Sequence, residues 1–284
     1  MRGLEERRGQ SAIHRAFECI RTVAERMSAH DPKSDLGRLY ERGISEAVEV
    51  HPWTFTVIEA ALFIYRLSHG IFDISVGDVL ERNRFLPRWH RRGITRAPPA
   101  PSDIELLDDF RIRLRRPVRI DLGGIAKGFA VDRAVEVLME AGAESGCVNA
   151  GGDFRIFGPH AELLLLRNPE NPYQLVRIGE IQTGTVATSG TYFSRRHRRS
   201  GVATPLVDGR TRQSRNFYES ITVIASSCMW ADALTKVTAM DRQRGVSLLE
   251  RFDARALFLC PDKKGLLVRA FPTSTDAEQD RTAP

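Results

Sequence analysis

Between Asp121 and Asp153 the chain reads DLGGIAKGFAVDRAVEVLMEAGAESGCVNAGGD, and few backbones accommodate that order. The VRID run that leads into it alternates apolar and charged residues, the period of a half-buried strand. A Gly-Gly turn follows, then a helix, then a short strand ending in a second Gly-Gly turn. On the helix, Ala126, Ala130, Ala134, Val137, Leu138 and Ala141 share one face, with Asp132, Arg133, Glu136 and Glu140 largely outside it. Small alanines along that stripe let the helix lie close on a sheet. Gly142 comes just after the last apolar turn, where a left-handed cap suits glycine.

The first turn is chemically loaded. Gly123 and Gly124 lack a Cβ, so their backbone can touch a ligand or turn sharply. Lys127 falls in the first helical turn, where the helix dipole disfavours a cation, so an anion explains it better than helix stability does. Unpaired N–H groups at a helix start add to the attraction for phosphate. A plain strand-to-helix connection with a solvated lysine is the competing reading. The second glycine turn, NAGGD, close in sequence, favours a site.

Hydrophobic residues at 42% and charged residues at 27% are ordinary for a soluble protein, and 284 residues can bury a substantial core. The formal net charge of +6 favours acidic ligands. Its excess sits in RWHRRGITR and SRRHRRSG, which read as solvated loops, and no nucleic-acid partner is expected. Cys19, Cys147, Cys228 and Cys260 are scattered without a CxxC pair, so neither disulfides nor zinc are called for. No run has signal-peptide or membrane-spanning character, which predicts a cytoplasmic protein without a membrane segment.

In chain order, Ile13, Phe17, Ile20, Ala24 and Met27 predict an amphipathic helix over about 11–29. Asp31-Pro32 breaks it, and Ser34 or Asp35 can cap a second. Pro52 opens a third, ending near Gly70, and residues 81–103 read as an exposed Arg- and Pro-rich loop. FRIRLRRPVRIDL predicts a hairpin, with Phe110–Leu114 paired to Val118–Leu122. Strands follow at 154–157, 163–166, 175–181 and 220–225. Then come helices at 229–240 and 245–252, and a closing hairpin at 255–260 and 266–268. Helices and strands interspersed without a βαβ repeat predict an α+β fold, mixed sheets with packed helices, as one unit over 11–272 before a disordered tail at 273–284.

DLGGIAKGFAVDRA, VNAGGD, VATSG and ITVIA…ADAL, in that order, resemble the ApbE family of FAD:protein FMN transferases over about Phe17 to Cys260. The resemblance implies an enzyme that cleaves FAD and attaches FMN, through its phosphate, to a Ser or Thr of an acceptor protein. GIFDISVGDVL matches the family's G-x-F-D-x-x-V-G segment, which brings Ile71, Phe72 and Asp73 to FAD. Asp121, Lys127 and Val207 join them by the same resemblance, and Tyr40 stands where the family has an asparagine that touches FAD. Taken alone, Phe72 also reads as core and Asp73 as a turn cap.

The family holds its metal on the aspartate of ADAL, a backbone oxygen and a hydroxyl one helical turn on, which implies Mg²⁺ on Asp232, Gly124 and Thr235. Two residues depart from the pattern. Lys236 occupies the usual threonine position, four after Asp232, so either Thr235 supplies the hydroxyl or Lys236 pairs with Asp232. Pro205 stands where relatives carry a histidine suited to take the acceptor proton, and His197 in the basic loop is a weak substitute. The catalytic base therefore has no assignment, and an FAD-binding protein with little transfer is the second reading. A basic nucleic-acid binder is the third.

Overall fold

Two glycine turns and the helix between them fix one corner of an antiparallel sheet. The computed structural model describes residues 1–89, 97–198, 201–262 and 265–271. Strands β1 (Gly146–Ala150) and β2 (Asp153–Phe157) form a hairpin around Gly151 and Gly152, whose φ angles are +72° and +103°. Positive φ at both loop positions gives the turn whose twist matches that of the strands, and glycine adopts it without strain. The sheet continues with β3 (Gly184–Ser189), β4 (Ser220–Ala225), β5 (Arg255–Asp262) and β6 (Gly265–Phe271). Its spatial order is β6-β5-β4-β3-β2-β1, every neighbour antiparallel. A hairpin of Glu162–Arg167 with Leu175–Ile181 is inserted between β2 and β3. Two short ribbons, Arg196–Arg198 with Gly201–Ala203 and Val207–Asp208 with Gln213–Ser214, lie between β3 and β4.

The helices are α1 (Glu6–Arg26), α2 (Asp35–Arg42), α3 (Pro52–Leu67), α4 (Gly77–Arg82), α5 (Ala126–Glu140), α6 (Cys228–Met240) and α7 (Arg242–Arg251). Helix α6 lies on β3 and β4, and α5 is sandwiched between α6 and α1. The main apolar cluster has Ile58, Ile71, Leu122, Ile125, Leu234 and Phe258 fully buried, and a smaller one lies between α1 and α5. The α+β architecture with helices packed on sheets is the one expected, in a single body, and the strand pairs among the described residues are antiparallel. Elements extend from Glu6 to Phe271, and the predicted tail at 273–284 lies outside the described residues. No helix among the described residues is long and apolar enough to cross a membrane.

Four local expectations are corrected. Helix α1 starts at Glu6 rather than Ser11, and it turns Ala12, Ala16 and Val23 inward while Ile13 and Phe17 face solvent. Ala12 and Ala16 pack with Ala134, Val135 and Leu138 of α5, a close approach that small side chains permit and Phe17 would block. Asp132, expected outside, is buried, because the N-terminus of α6 abuts that side of α5. Its carboxylate accepts from the Cys228 and Met229 backbone N–H groups at 3.0 and 2.9 Å, satisfying donors that the start of a helix leaves unpaired.

The predicted 110–122 hairpin does not form either. Arg111–Leu114 pairs instead with Ile104–Leu106 and Val48–Glu49. Residues 118–122 run extended along the 74–77 turn, with Asp121 N–H donating to the Ile74 carbonyl and Gly77 N–H to that of Arg119. Val118, Ile120 and Leu122 are buried as their alternation requires, but against a turn rather than a strand. Within the expected loop at 81–103, Leu86 is buried and Pro101–Asp103 forms a helical turn, while 90–96 lie outside the described residues.

Candidate active site

The extended segment before α5, the 71–77 turn and the ends of β3 and α6 converge on a cleft of about 370 Å³. Ile71, Phe72, Asp73, Asp121, Gly124, Lys127 and Val207 all line it, as do Thr188, Ser189 and Gly190 of the TSG segment. Phe72 belongs to the core and to the cleft wall at once. A Cβ on Gly124 would lie 3.2 Å from its ring, so the glycine turn packs directly on the aromatic. Asp73 also caps its own turn, accepting from Ser75 N–H at 2.6 Å, and stands 3.9 Å from Arg212. Gly209 N–H donates to the Ile71 carbonyl at 3.0 Å, which clamps the 207–212 ribbon to the 71–73 segment and holds Val207 at the wall.

At the cleft floor two lysines that line it sit over two buried aspartates. Lys127 Nζ is 2.7 Å from Asp153 Oδ2 and 3.0 Å from Asp232 Oδ2. Lys236 Nζ pairs with Asp232 Oδ1 and donates to Thr235 Oγ1 at 3.1 Å. The anions that justify a lysine in the first turn of α5 are thus protein carboxylates. Burial pushes the Lys127 pKa down, but the Asp232 and Asp153 charges outweigh it and hold the group above the ordinary lysine value. Burial likewise pushes Asp232 up, yet Lys236 and Lys127 bring it below the usual carboxylate range. Asp153 is raised by burial and by the neighbouring Asp232 charge, and Asp121 and Asp73 are raised mainly by burial.

Asp232 and Thr235 sit under the cleft rather than on its surface, both fully buried, and Asp232 falls in the second turn of α6. Tyr40 is not brought to the cleft. It lines a separate depression with Gly37, Glu41 and Trp89, where its ring lies 5.5 Å from that of Trp89 and the Arg119 guanidinium stacks against both. His197 is exposed on the Arg196–Arg198 ribbon and is absent from the cleft lining, whereas Pro205 is part of it. Sequence reasoning missed His30, Asp153 and Ser189. His30 follows the α1 helix and reaches the cleft beside Asp121. Asp153 was visible as the last residue of NAGGD, directly after the turn that aims it at Lys127.

The residues expected to hold Mg²⁺ can be tested against these contacts. A carboxylate has about four acceptor sites and a hydroxyl one donor and two acceptors. Asp232 accepts from Lys236 and Lys127 on Oδ1, and from Lys127 and the Gly128 N–H on Oδ2. Thr235 Oγ1 donates to the Asp232 carbonyl oxygen at 2.7 Å, which leaves it to accept from Ser189 Oγ and Lys236 Nζ. Both side chains are saturated, and an ammonium stands against the carboxylate. As arranged, the set does not fit a divalent cation. No cluster of three or more His, Cys, Asp or Glu groups suited to a metal occurs elsewhere among the described residues.

A glycine turn feeding a helix, a lysine held at its start by two carboxylates and an apolar-walled cleft beside them make up the candidate site. Residues 4–258 match the ApbE family, and the chain belongs to that family. It is 28% identical to the FAD:protein FMN transferase of Vibrio cholerae over 85% of this chain and 76% of that one. With the FAD:protein FMN transferase of Treponema pallidum it shares 27% over 91% and 80%. Its fold is similar to the flavin transferase ApbE from Vibrio cholerae, with a TM-score of 0.74 at 25% identity over 94% of this chain and 89% of that one. The ApbE protein from Thermotoga maritima gives 0.77 at 26% identity over 92% and 88%.

Proposed function

We infer that this chain is a flavin transferase that moves FMN from FAD to a hydroxyl of an acceptor protein. The cleft carries this reading: Gly123-Gly124, Lys127 and the 188–190 segment meet beside the apolar walls of Ile71, Phe72 and Val207. Those walls suit a flat ring system. Lys127 and Lys236 line the cleft, and their ammonium groups are cations suited to phosphate oxygens. In the reaction, a Ser or Thr Oγ of the acceptor forms a bond to the phosphorus of the FMN half. The bond from that phosphorus to the bridging oxygen breaks, AMP departs with the oxygen, and the hydroxyl proton passes to a base. Positioning and charge neutralisation are the chief contributions a protein can make to such a displacement.

Pro205 cannot take the proton. Asp121 on the cleft wall is the side chain best suited to it, because burial raises its carboxyl and makes it a better acceptor than an exposed aspartate. The expected Mg²⁺ on Asp232, Thr235 and the Gly124 carbonyl does not fit the observed bonding, so no step here depends on it. Incubating the protein with FAD and a purified acceptor flavoprotein tests the reading. The expected result is AMP release in step with an acceptor mass increase of one FMN less one water. FAD binding with neither product would favour a flavin-nucleotide-binding role.

A further inference from the structure

We propose that the Lys236 ammonium is a built-in replacement for a divalent cation, so that this chain binds FAD phosphates with a lysine pair and without metal. The inference rests on the flavin reading above and deepens it. Helix α6 projects Asp232, Thr235 and Lys236 from adjoining turns, and Lys236 alone of the three reaches the cleft lining. Its side chain is 15% exposed, so it is enclosed by the floor rather than waving in solvent.

The bonding shows how two like charges are held so close. Lys127 and Lys236 share one carboxylate, Asp232, and Asp153 gives Lys127 a second. Two ammoniums and two carboxylates balance, and their attraction offsets part of the cost of desolvating the buried members. An ammonium has three donors. Lys127 spends its donors on Asp153 and Asp232, with one interaction split between both Asp232 oxygens. Lys236 spends two, on Asp232 and Thr235. Each therefore retains an N–H direction, and both nitrogens belong to residues that line the cleft.

A divalent ion placed on Asp232 would stand within about 4 Å of the Lys236 nitrogen. Two unit positive charges at that distance repel by about 4 kcal/mol at an effective dielectric of about 20, and a divalent ion repels by more. Ion and lysine exclude one another, and Lys236 is the one covalently present. Its ammonium supplies positive charge and a hydrogen-bond donor at the place where an oxygen-bound cation would meet phosphate.

The test is FAD affinity, read by flavin fluorescence and by calorimetry, on the full chain in excess EDTA and across a Mg²⁺ titration. Mn²⁺ binding to the FAD-free protein is followed in parallel by electron paramagnetic resonance. In the natural protein, FAD affinity should be the same with EDTA or Mg²⁺, and Mn²⁺ should not bind. In Lys236→Thr, which supplies a hydroxyl in place of the ammonium, affinity in EDTA should fall about tenfold, the loss expected of one charge-assisted hydrogen bond. Mg²⁺ should then recover it, and Mn²⁺ should bind. Lys236→Arg, keeping the charge, should remain indifferent to Mg²⁺ and shows whether the threonine variant fails merely from disturbed folding. A natural protein whose FAD affinity climbs with Mg²⁺ overturns the lysine assignment while leaving the flavin reading intact. Absence of FAD binding in every condition overturns both.

Discussion

Gly128 sits one residue after the cleft lysine, where α5 and α6 come closest, and its replacement by alanine tests what frames the site. In an ordinary helix interior, Gly→Ala stabilises by about 1 kcal/mol. Here a Cβ would lie 2.1 Å from the Cys228 carbonyl oxygen, 2.5 Å from its carbon and 2.8 Å from Met229 Cα. All three are backbone atoms and cannot rotate away, so the helices must part by roughly an ångström, the shortfall from the closest contact a real Cβ makes. Parting stretches the bond from Gly128 N–H to Asp232 at 3.3 Å and those from Cys228 and Met229 N–H to Asp132 at 3.0 and 2.9 Å. Overpacking costs about 1–3 kcal/mol and each bond to a charged group about 1.5–3 kcal/mol if lost outright. Set against the propensity gain, the net expectation is a destabilisation of about 3 kcal/mol, or roughly 5 °C in Tm for a chain of this length. Differential scanning calorimetry measures it. Gly179→Ala is the control, since nothing lies within 4 Å of a Cβ there, and it should change little. If Gly128→Ala proves as stable as the natural chain, or more so, the close approach of α5 and α6 does not hold the cluster in place.

Replacing Asp232 by alanine leaves Lys127 and Lys236 against each other over a buried gap, and urea unfolding should show a loss of about 3–5 kcal/mol. Arg210 bonds Asp208 at 2.9 Å, and although burial pushes Asp208 up, that guanidinium holds its carboxyl below the usual range. A depressed carboxylate stabilises above its unfolded pKa of about 3.9. Stability curves of the natural protein and Arg210→Ala should therefore differ at neutral pH and converge as pH falls through the depressed value. Asp121→Asn should slow FMN transfer at least about tenfold while FAD affinity, read by flavin fluorescence, changes less than threefold. A thiol reagent should label exposed Cys147 in the folded protein and reach Cys228, buried and with its thiol pushed up by burial, only on unfolding.

Local signals carried most of the fold. Turn residues and apolar periods placed the strand at 175–181, the strand at 220–225 and the cap of α2, because each depends on neighbours a few residues away. Partner choice was less legible. Val118, Ile120 and Leu122 announce an extended, buried segment, but nothing in their alternation says whether the partner is a strand or the 74–77 turn. Helix α1 shows the same limit: its bulkier stripe looked like the core face, and a close crossing with α5 selected the alanine stripe instead.

The site divides along the same line. Gly-Gly followed by a lysine in a first turn announced an anion, and the charges the structure sets against that lysine are the carboxylates of Asp153 and Asp232. Asp153 is 26 residues from Lys127 and Asp232 is 105 residues from it, and only the folding of β2 and α6 around α5 brings all three together. Spacing along one helix did put Asp232 and Lys236 within reach of each other, since positions four apart share a face. Whether Lys236 would lean toward Asp232 or away depended on what enclosed it. In the fold it pairs with Asp232 and donates to Thr235, and a substitution that looks like the loss of a hydroxyl becomes the gain of a charge.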